Sequence, residues 1–507
     1  MGNETAALDA LRKSLEAPIP DALKKAFTSP STATSGLAQY DLVPGARLMY
    51  PVDSPFRNII PREVGGAGIQ ANWRSILGIN TNNEQVGLSE GNRGGINSYL
   101  EYDVFAKFCE LGMDDYATWK AQRAAEGFEQ LDELAVQMLL QTNMEAEEKV
   151  ILYGMGGNSI NGAGLGTTPN PTTTPSTSGG TIPNQSGLVT CVALTYRGFP
   201  LSSVANGVKI PYTRTNADGS TDTINGFSAA PSSNVAATTT GAGNVNSITA
   251  TVTAVPGAAG YAWFYGLAGS QLLAAITTIN SVSLTAVAAG TQNLTALPAT
   301  DKSLDSLVYD GLIAQILASG TTYGSQFGSY IRQLATGTAG TGSTLTATGN
   351  GQGSINEIDT AIESFFTNKR MIPDTIWLSG IDQVNFRNKV LTGNTNAAPF
   401  FGVANDGSIK AGALVKKYLN PTGYGLEYLD VKTHPFLPQG TILFTTAKLP
   451  FPKTNTPNIW KMNMRRDYYA IKWPYRSRKD EYGLYYDGLL QHFYPGAMGL
   501  ISNVANG

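Results

Sequence analysis

Four kinds of residue in this sequence could carry chemistry. Glycine clusters run from Gly154 to Gly157, Gly162 to Gly166 and Gly349 to Gly353. Glycine-rich loops cradle phosphates with backbone N–H groups, but they need a strand before, a helix after and a Lys to meet the charge. None of the three carries Gly-Lys-Ser or Gly-Lys-Thr, so nucleotide binding is not expected. The two histidines are His434, in Lys432-Thr433-His434-Pro435, and His492, in an aromatic run. Neither has a Gly-x-Ser-x-Gly elbow or a His-Glu-x-x-His motif to work with, and both are read as structural hydrogen-bonding groups. Together with Cys109 and Cys191, which lie far apart, they cannot complete a four-ligand zinc site. The acidic run Glu145, Glu147 and Glu148 is read as a solvated or intersubunit face, not as an acid/base pair. A basic run (Arg465, Arg466, Lys472, Arg476, Arg478, Lys479) is interleaved with Tyr468, Tyr469, Trp473 and Tyr475. That pattern could grip a nucleic-acid backbone, yet Asp467, Asp480 and Glu481 interrupt it, which favours ion pairing between subunits. No catalytic, cofactor-binding or metal-ligating residue is assigned, and the chain is not read as an enzyme.

The elements that would position such residues follow from periodicity. Leu8, Leu11 and Leu15 mark a short amphipathic helix, broken at Pro18 and Pro20. A Gly/Ser/Thr-rich stretch to Gly45 reads as an extended arm. Short β-like runs at Trp73–Leu77 and Tyr99–Phe105 predict a long two-stranded excursion, marginal in water unless it lies on something else. Asp114 or Asp115 is the expected cap of a helix to Tyr153, its stripe formed by Leu131, Leu134, Ala135, Met138, Leu139 and Thr142. Such a helix would be about 55–60 Å long. Thr167 to Ser186 reads as a linker. Alternation from Ser247 to Ala254, a turn at Pro256-Gly257, and runs at Val189–Leu194, Tyr261–Tyr265 and Val282–Leu284 then predict a β-sandwich with Trp263 and Cys191 in its core. After Asp301 a mixed texture resumes: helices over Leu304–Ala318, Ile355–Asn368 and Asp382–Leu391, and a buried strand over Pro373–Ser379. Paired strands are expected at Gly425–Val431 and Gly440–Thr446, with aromatic strands from Trp460 onward.

Length and composition bound the rest. A chain of 507 residues exceeds one ordinary core, so two or more domains are expected. Charged residues are 14% against 42% apolar, and there are 56 glycines. Such a low charge suits a β-rich protein that buries much of its surface against partners. Lys plus Arg number 35 against 38 Asp plus Glu, a formal charge of −3, which lacks the basic surplus of a polyanion binder. The start has no basic head followed by an apolar block, and no run is long enough to span a bilayer. Synthesis in the cytoplasm, with no membrane partner, is the expectation.

The order of these elements resembles the major capsid protein of tailed bacteriophages, the Hong Kong 97-type fold. The resemblance is carried by Glu147-Glu148-Lys149-Val150-Ile151-Leu152-Tyr153-Gly154, Tyr309-Asp310-Gly311-Leu312 and Ile358-Asp359-Thr360-Ala361-Ile362. It continues through Pro373-Asp374-Thr375-Ile376-Trp377-Leu378-Ser379, Leu437-Pro438-Gln439-Gly440-Thr441 and Tyr485-Tyr486-Asp487-Gly488-Leu489. It implies an α+β fold with an N-terminal arm (1–61), an E-loop region (62–112), the spine helix of a peripheral domain (113–154), a linker (155–187) and an inserted all-β sandwich (188–299). Residues 300–507 would form an axial domain and the remainder of the peripheral one. Val255-Pro256-Gly257-Ala258-Ala259-Gly260-Tyr261 is similar to the strand-turn-strand signature of immunoglobulin or fibronectin III-like domains, here displayed outward.

The implied function is self-assembly into pentamers and hexamers of an icosahedral virion capsid around double-stranded DNA held by weak contacts. A separate scaffolding protein, a portal and a cement or decoration protein are the implied partners. No Lys lies between Lys25 and Lys107, so cross-linking through an E-loop lysine, known in some members, is not expected. The alternatives are an encapsulin-type shell around protein cargo and a secreted Ig-like adhesin or fibre protein.

Overall fold

The computed structural model describes residues 53–505, apart from 80–86, 97–98, 127–129, 158–161, 163, 217, 288, 323–326, 349–352, 393–400, 404–408, 412–413, 451–455 and 457. The helix expected around Leu8, Leu11 and Leu15, and the arm to Gly45, lie outside the described residues.

The described chain starts with a short helix, α1 (Pro55–Ile59), and a strand, β1 (Arg62–Val64). Next, β2 (Gln70–Ile79) and β3 (Tyr99–Lys107) pair antiparallel as a two-stranded ribbon that, among the described residues, joins no larger sheet. At about 3.3 Å per residue a ten-residue strand of this kind is roughly 33 Å long. Its base is held where Trp73 Nε1 donates to the His492 carbonyl at 3.3 Å and the Trp73 ring meets Phe493 edge-on.

β4 (Cys109–Thr118) follows, then α2 (Trp119–Ala125) and α3 (Leu131–Tyr153). This corrects the expected helix from Asp114. Asp114 and Asp115 sit within β4, and α3 has 23 residues, about 34 Å at 1.5 Å per residue. The competing force is a ten-residue ladder between β4 and a strand nearly four hundred residues later, β22 (Lys479–His492), which no local pattern reveals. The capping signal is real but displaced, because Thr118 Oγ1 accepts from the Ala121 N–H at 3.3 Å and starts α2.

The β-sandwich comprises β5 (Thr172–Ser176), β6 (Ser186–Leu194), the hairpin β7 (Tyr212–Thr215) and β8 (Thr221–Ile224), β9 (Val235–Thr238), β10 (Ser247–Thr251), β11 (Gly260–Gly266), β12 (Leu272–Thr277) and β13 (Ser281–Leu284). Two antiparallel sheets, ordered β13-β10-β5 and β12-β11-β6-β9, face each other. The supposed linker at 155–187 therefore contributes β5, and Thr172–Ser176 is an edge strand of the sandwich. Alternate residues point inward as the period-2 pattern requires: Ile248 and Ala250 are fully buried while Thr249 and Thr251 are not. Trp263 and Cys191, directly opposite in the ladder, are both fully buried. Gly257 takes φ +87° in the turn before β11, a left-handed conformation that strains other residues. Beyond it the Tyr261 hydroxyl accepts the buried Val255 N–H at 2.8 Å. Tyr261→Phe is expected to lower stability by about 1–3 kcal/mol, because it orphans a buried donor. An unchanged urea midpoint would show that this contact does not brace the corner.

The remainder comprises α4 (Leu312–Thr322), β14 (Tyr330–Gln333), α5 (Asn356–Lys369), β15 (Thr375–Leu378), α6 (Gly380–Thr392), the pair β16 (Phe401–Val403) and β17 (Ile409–Ala411), β18 (Lys417–Leu419), β19 (Tyr428–Thr433), β20 (Ile442–Thr445), β21 (Trp460–Lys472), β22 (Lys479–His492) and β23 (Gly499–Ser502). A mixed six-stranded sheet runs β14-β23-β20-β15-β19-β18. Ile358, Ile362 and Phe365 of α5 and Phe386 of α6 share its core with Ile376 and Phe444. β19 and β20 do not pair with each other as expected; β15 lies between them, parallel to the first and antiparallel to the second. Residues 304–311 precede α4 and are not helical. A second sheet, β1-β21-β22-β4, carries α3 against it, and Asn143 Nδ2 donates to the Leu484 carbonyl at 3.1 Å. The fold is mixed α+β with one sandwich between its halves.

Candidate functional site

The densest polar cluster lies on the C-terminal half of α3, where Glu147 and Glu148 are both fully buried. Side by side on a helix, the two carboxylates face different partners. Glu147 accepts from Arg57 Nε at 2.9 Å, Arg62 Nη1 at 2.6 Å and the Tyr468 hydroxyl at 2.6 Å. Arg62 also reaches Asp467 at 2.7 Å, and both guanidiniums sit over the Tyr468 ring at 5.3 and 5.2 Å. Burial pulls the Arg62 pKa down, but its bonds to Asp467 and Glu147 outweigh that and leave it above the usual value. The same burial, with Glu147 alongside, pushes the Tyr468 hydroxyl up, so it stays protonated and donates.

Glu148 accepts the Phe56 N–H at 2.9 Å, the Arg57 N–H at 2.7 Å and His434 Nε2 at 2.7 Å. These two N–H groups belong to the first turn of α1, where a helix lacks internal partners. Ser54, the residue at the cap position, makes no side-chain cap. A carboxylate 92 positions later in the chain caps the helix in its place. His434 Nδ1 accepts the Phe436 N–H at 3.2 Å, which leaves Nε2 to donate to Glu148. The ring stacks on Phe56 at 4.9 Å. His434 is thus a structural hydrogen-bonding group in geometry, whereas the acidic run is neither solvated nor intersubunit. All three are buried inside one chain; Glu145 pairs with Lys149 on its own helix, and Glu147 and Glu148 fasten α1 and β1 to α3. Sequence reading singled out the carboxylates and, in the basic run, Tyr468, but not Arg57 or Arg62, and no local signal joins any of the three to Glu147.

The other candidate residues disperse. The Gly154–Gly157 cluster ends α3, and its Gly156 and Gly157 N–H groups go to Asp310 Oδ1 at 2.7 and 2.9 Å. The Gly166 N–H goes to Asp301 at 2.8 Å. These glycines wrap carboxylates of the same chain. Of the third cluster, 349–352 lie outside the described residues. His492 is buried beside Met498, and burial pulls its pKa down to about 3. Both cysteines are buried thiols. Four of the six residues of the basic run are engaged within their own hairpin: Arg465 with Asp487, Lys472 with Asp480 at 3.0 Å, Lys479 with Glu481 at 2.6 Å, and Arg466 over the Tyr469 ring at 3.8 Å. Among the described residues no helix is long and apolar enough to cross a membrane.

No family model and no curated protein matches the chain. Solved structures do match over most of its length. The capsid of the native GTA particle is 9% identical, with 95% of this chain and 100% of that one covered at a TM-score of 0.39. The capsid of the cyanophage P-SCSP1u is 9% identical, with 97% and 100% covered at 0.39. The capsid of the Myoviridae phage XM1 is 8% identical, with 91% and 95% covered at 0.35.

Proposed function

We propose that the chain is the shell-forming subunit of a phage-type capsid, with a structural and non-enzymatic role. The observation that carries this reading is the β2–β3 ribbon. Among the described residues it joins no larger sheet, and an isolated two-stranded ribbon is marginal in water. It also exposes large apolar groups, Ile76 at 62% and Tyr99 at 61%, with Ile69 at 79% just before it and Ile96 at 88% in its connection. A ribbon of this kind is stable when it lies on a neighbouring subunit, and a closed shell of copies gives every ribbon such a bed.

Pentamers and hexamers closing around double-stranded DNA form the proposed assembly, with a separate scaffolding protein, a portal and a cement protein as partners. The sandwich is proposed to be an immunoglobulin-like module on the outer surface. Its opposed sheets and the Tyr261 hydroxyl bonded back to the chain at the corner before β11 support that assignment. Exposed ribbons without an E-loop lysine favour noncovalent contacts between subunits.

Electron microscopy of the purified protein, alone and with its candidate scaffold, tests the reading. Closed shells or rings of five or six copies are expected. A stable monomer under both conditions would overturn it. Shells that enclose protein in place of DNA when isolated from their source would move the assignment to an encapsulin-type container.

A further inference from the structure

A cavity of about 490 Å³ opens between α3, the loop after β6 and the Pro435–Pro438 turn. Its walls include Val150, Phe199, Leu201, Val308, Phe436 and Leu437. The space equals roughly 16 waters of liquid at ~30 Å³ each, and it falls within the ~300–1,000 Å³ range of small-molecule sites. The charged groups at its edge are already matched. Lys149 pairs with Glu145 at 2.5 Å and lies over the Phe436 ring, and Arg197 pairs with Asp305 at 2.5 Å. An anion would meet those two carboxylates and have to break one of the pairs, so the cavity suits an uncharged occupant.

One polar group on the wall is unmatched. Tyr153, in the last turn of α3, lines the cavity and is 7% exposed. Among the described residues no group hydrogen-bonds its hydroxyl. Burial raises the Tyr153 pKa, and the two charges that act on it are those of Arg197 and Glu145. Arg197 lines the cavity and Glu145 holds Lys149 at its edge, so the hydroxyl faces the same space. It keeps its proton at neutral pH and is left a donor without an acceptor, which is costly at this depth. Water is a poor filler here, because an ordered water needs roughly two to four polar partners and the wall offers this one.

We infer that the cavity binds a small, uncharged and largely apolar molecule through one oxygen acceptor, a carbonyl or an ether, that takes the Tyr153 hydroxyl. The apolar walls supply the contact area and the hydroxyl sets the orientation. Such a ligand touches α3, the sandwich and the Pro435–Pro438 turn together, so its binding stabilises the folded chain by mass action. The site is built within a single chain, and the inference does not depend on the shell-forming role.

The test titrates the full-length chain with Prodan, an uncharged naphthyl ketone whose emission moves to the blue in apolar surroundings. Saturable binding of one Prodan per chain is expected, with a blue shift and a rise in melting temperature. Tyr153→Phe should weaken Prodan roughly two- to tenfold, the worth of one hydrogen bond. The same variant should leave unchanged the binding of dimethylaminonaphthalene, which lacks the carbonyl. Ala146→Trp fills the cavity from α3 and should abolish binding of both probes, with its urea midpoint checking that it folds. Ile76→Ser with Ile96→Ser removes exposed apolar groups of the ribbon and should leave Prodan binding as it was. No saturable binding, a Tyr153→Phe variant that treats the two probes alike, or a site spared by Ala146→Trp and lost in the ribbon variant would each overturn the assignment.

Discussion

Glu147→Ala should destabilise the protein by about 3–5 kcal/mol, the range measured when one partner of a buried charge pair is removed. The substitution strands Arg57, 17% exposed, and the Tyr468 hydroxyl, and leaves Arg62 with Asp467 alone. Surface ion pairs are screened and contribute at most about 1 kcal/mol, so the size of the loss distinguishes the two cases. Urea unfolding followed by tryptophan fluorescence reads it. Limited trypsin digestion provides a local readout, because Arg57 and Arg62 should become cleavable under conditions where the wild type is not cut there. Replacing Glu147→Met with Arg57→Met should recover part of the loss, since it removes the cation that pairs with Glu147 while Arg62 keeps Asp467. A single-site loss below 1 kcal/mol with unchanged digestion would mean that the junction does not hold α1.

Lys369→Met is expected to act in the opposite direction. Lys369 lies in the last turn of α5 at 6% exposure, its ammonium over the Phe365 ring at 4.7 Å. Among the described residues no carboxylate pairs with it. Burial pulls its pKa from 10.5 down to about 7. The folded value is below the unfolded one, so the unfolded chain binds the extra proton between these two pH values. Stability from this group is therefore full above about pH 10.5, falls as pH drops towards 7, and is lost below that. Methionine keeps the volume and removes the penalty. A gain of about 2–4 kcal/mol at pH 7 is expected, shrinking towards zero near pH 10.5. Urea midpoints of both proteins at pH 7 and pH 10 measure it. A difference independent of pH would assign the effect to packing, not to charge.

Much of the architecture was legible where one face of an element is apolar. The stripe from Leu131 to Thr142 marks α3, and the alternation at Ser247–Thr251 marks β10, because both patterns repeat within a few residues. Legibility failed where the deciding partner is remote. Asp114 has the chemistry of a helix cap, yet β22 claims it for a ladder. Thr172–Ser176 has linker composition and becomes a strand only because β10 offers it an edge. β19 and β20 look like a hairpin until β15, about fifty residues earlier, takes the place between them. The junction is the sharpest case. Adjacent glutamates on a helix usually face water, and only the arrival of Arg57, Arg62, His434 and Tyr468 makes their burial tolerable.

The spread of those partners also sets a schedule for synthesis. Arg62 and Asp467 are 405 positions apart, and His434 is 286 from Glu148. Ribosomes add roughly 5–20 residues per second, so about 20–80 seconds pass between the making of Arg62 and of its last partner. Throughout that interval the amino-terminal end has no complete anchorage of its own. It remains open to chaperones or to another copy until the final hairpin emerges and fastens it.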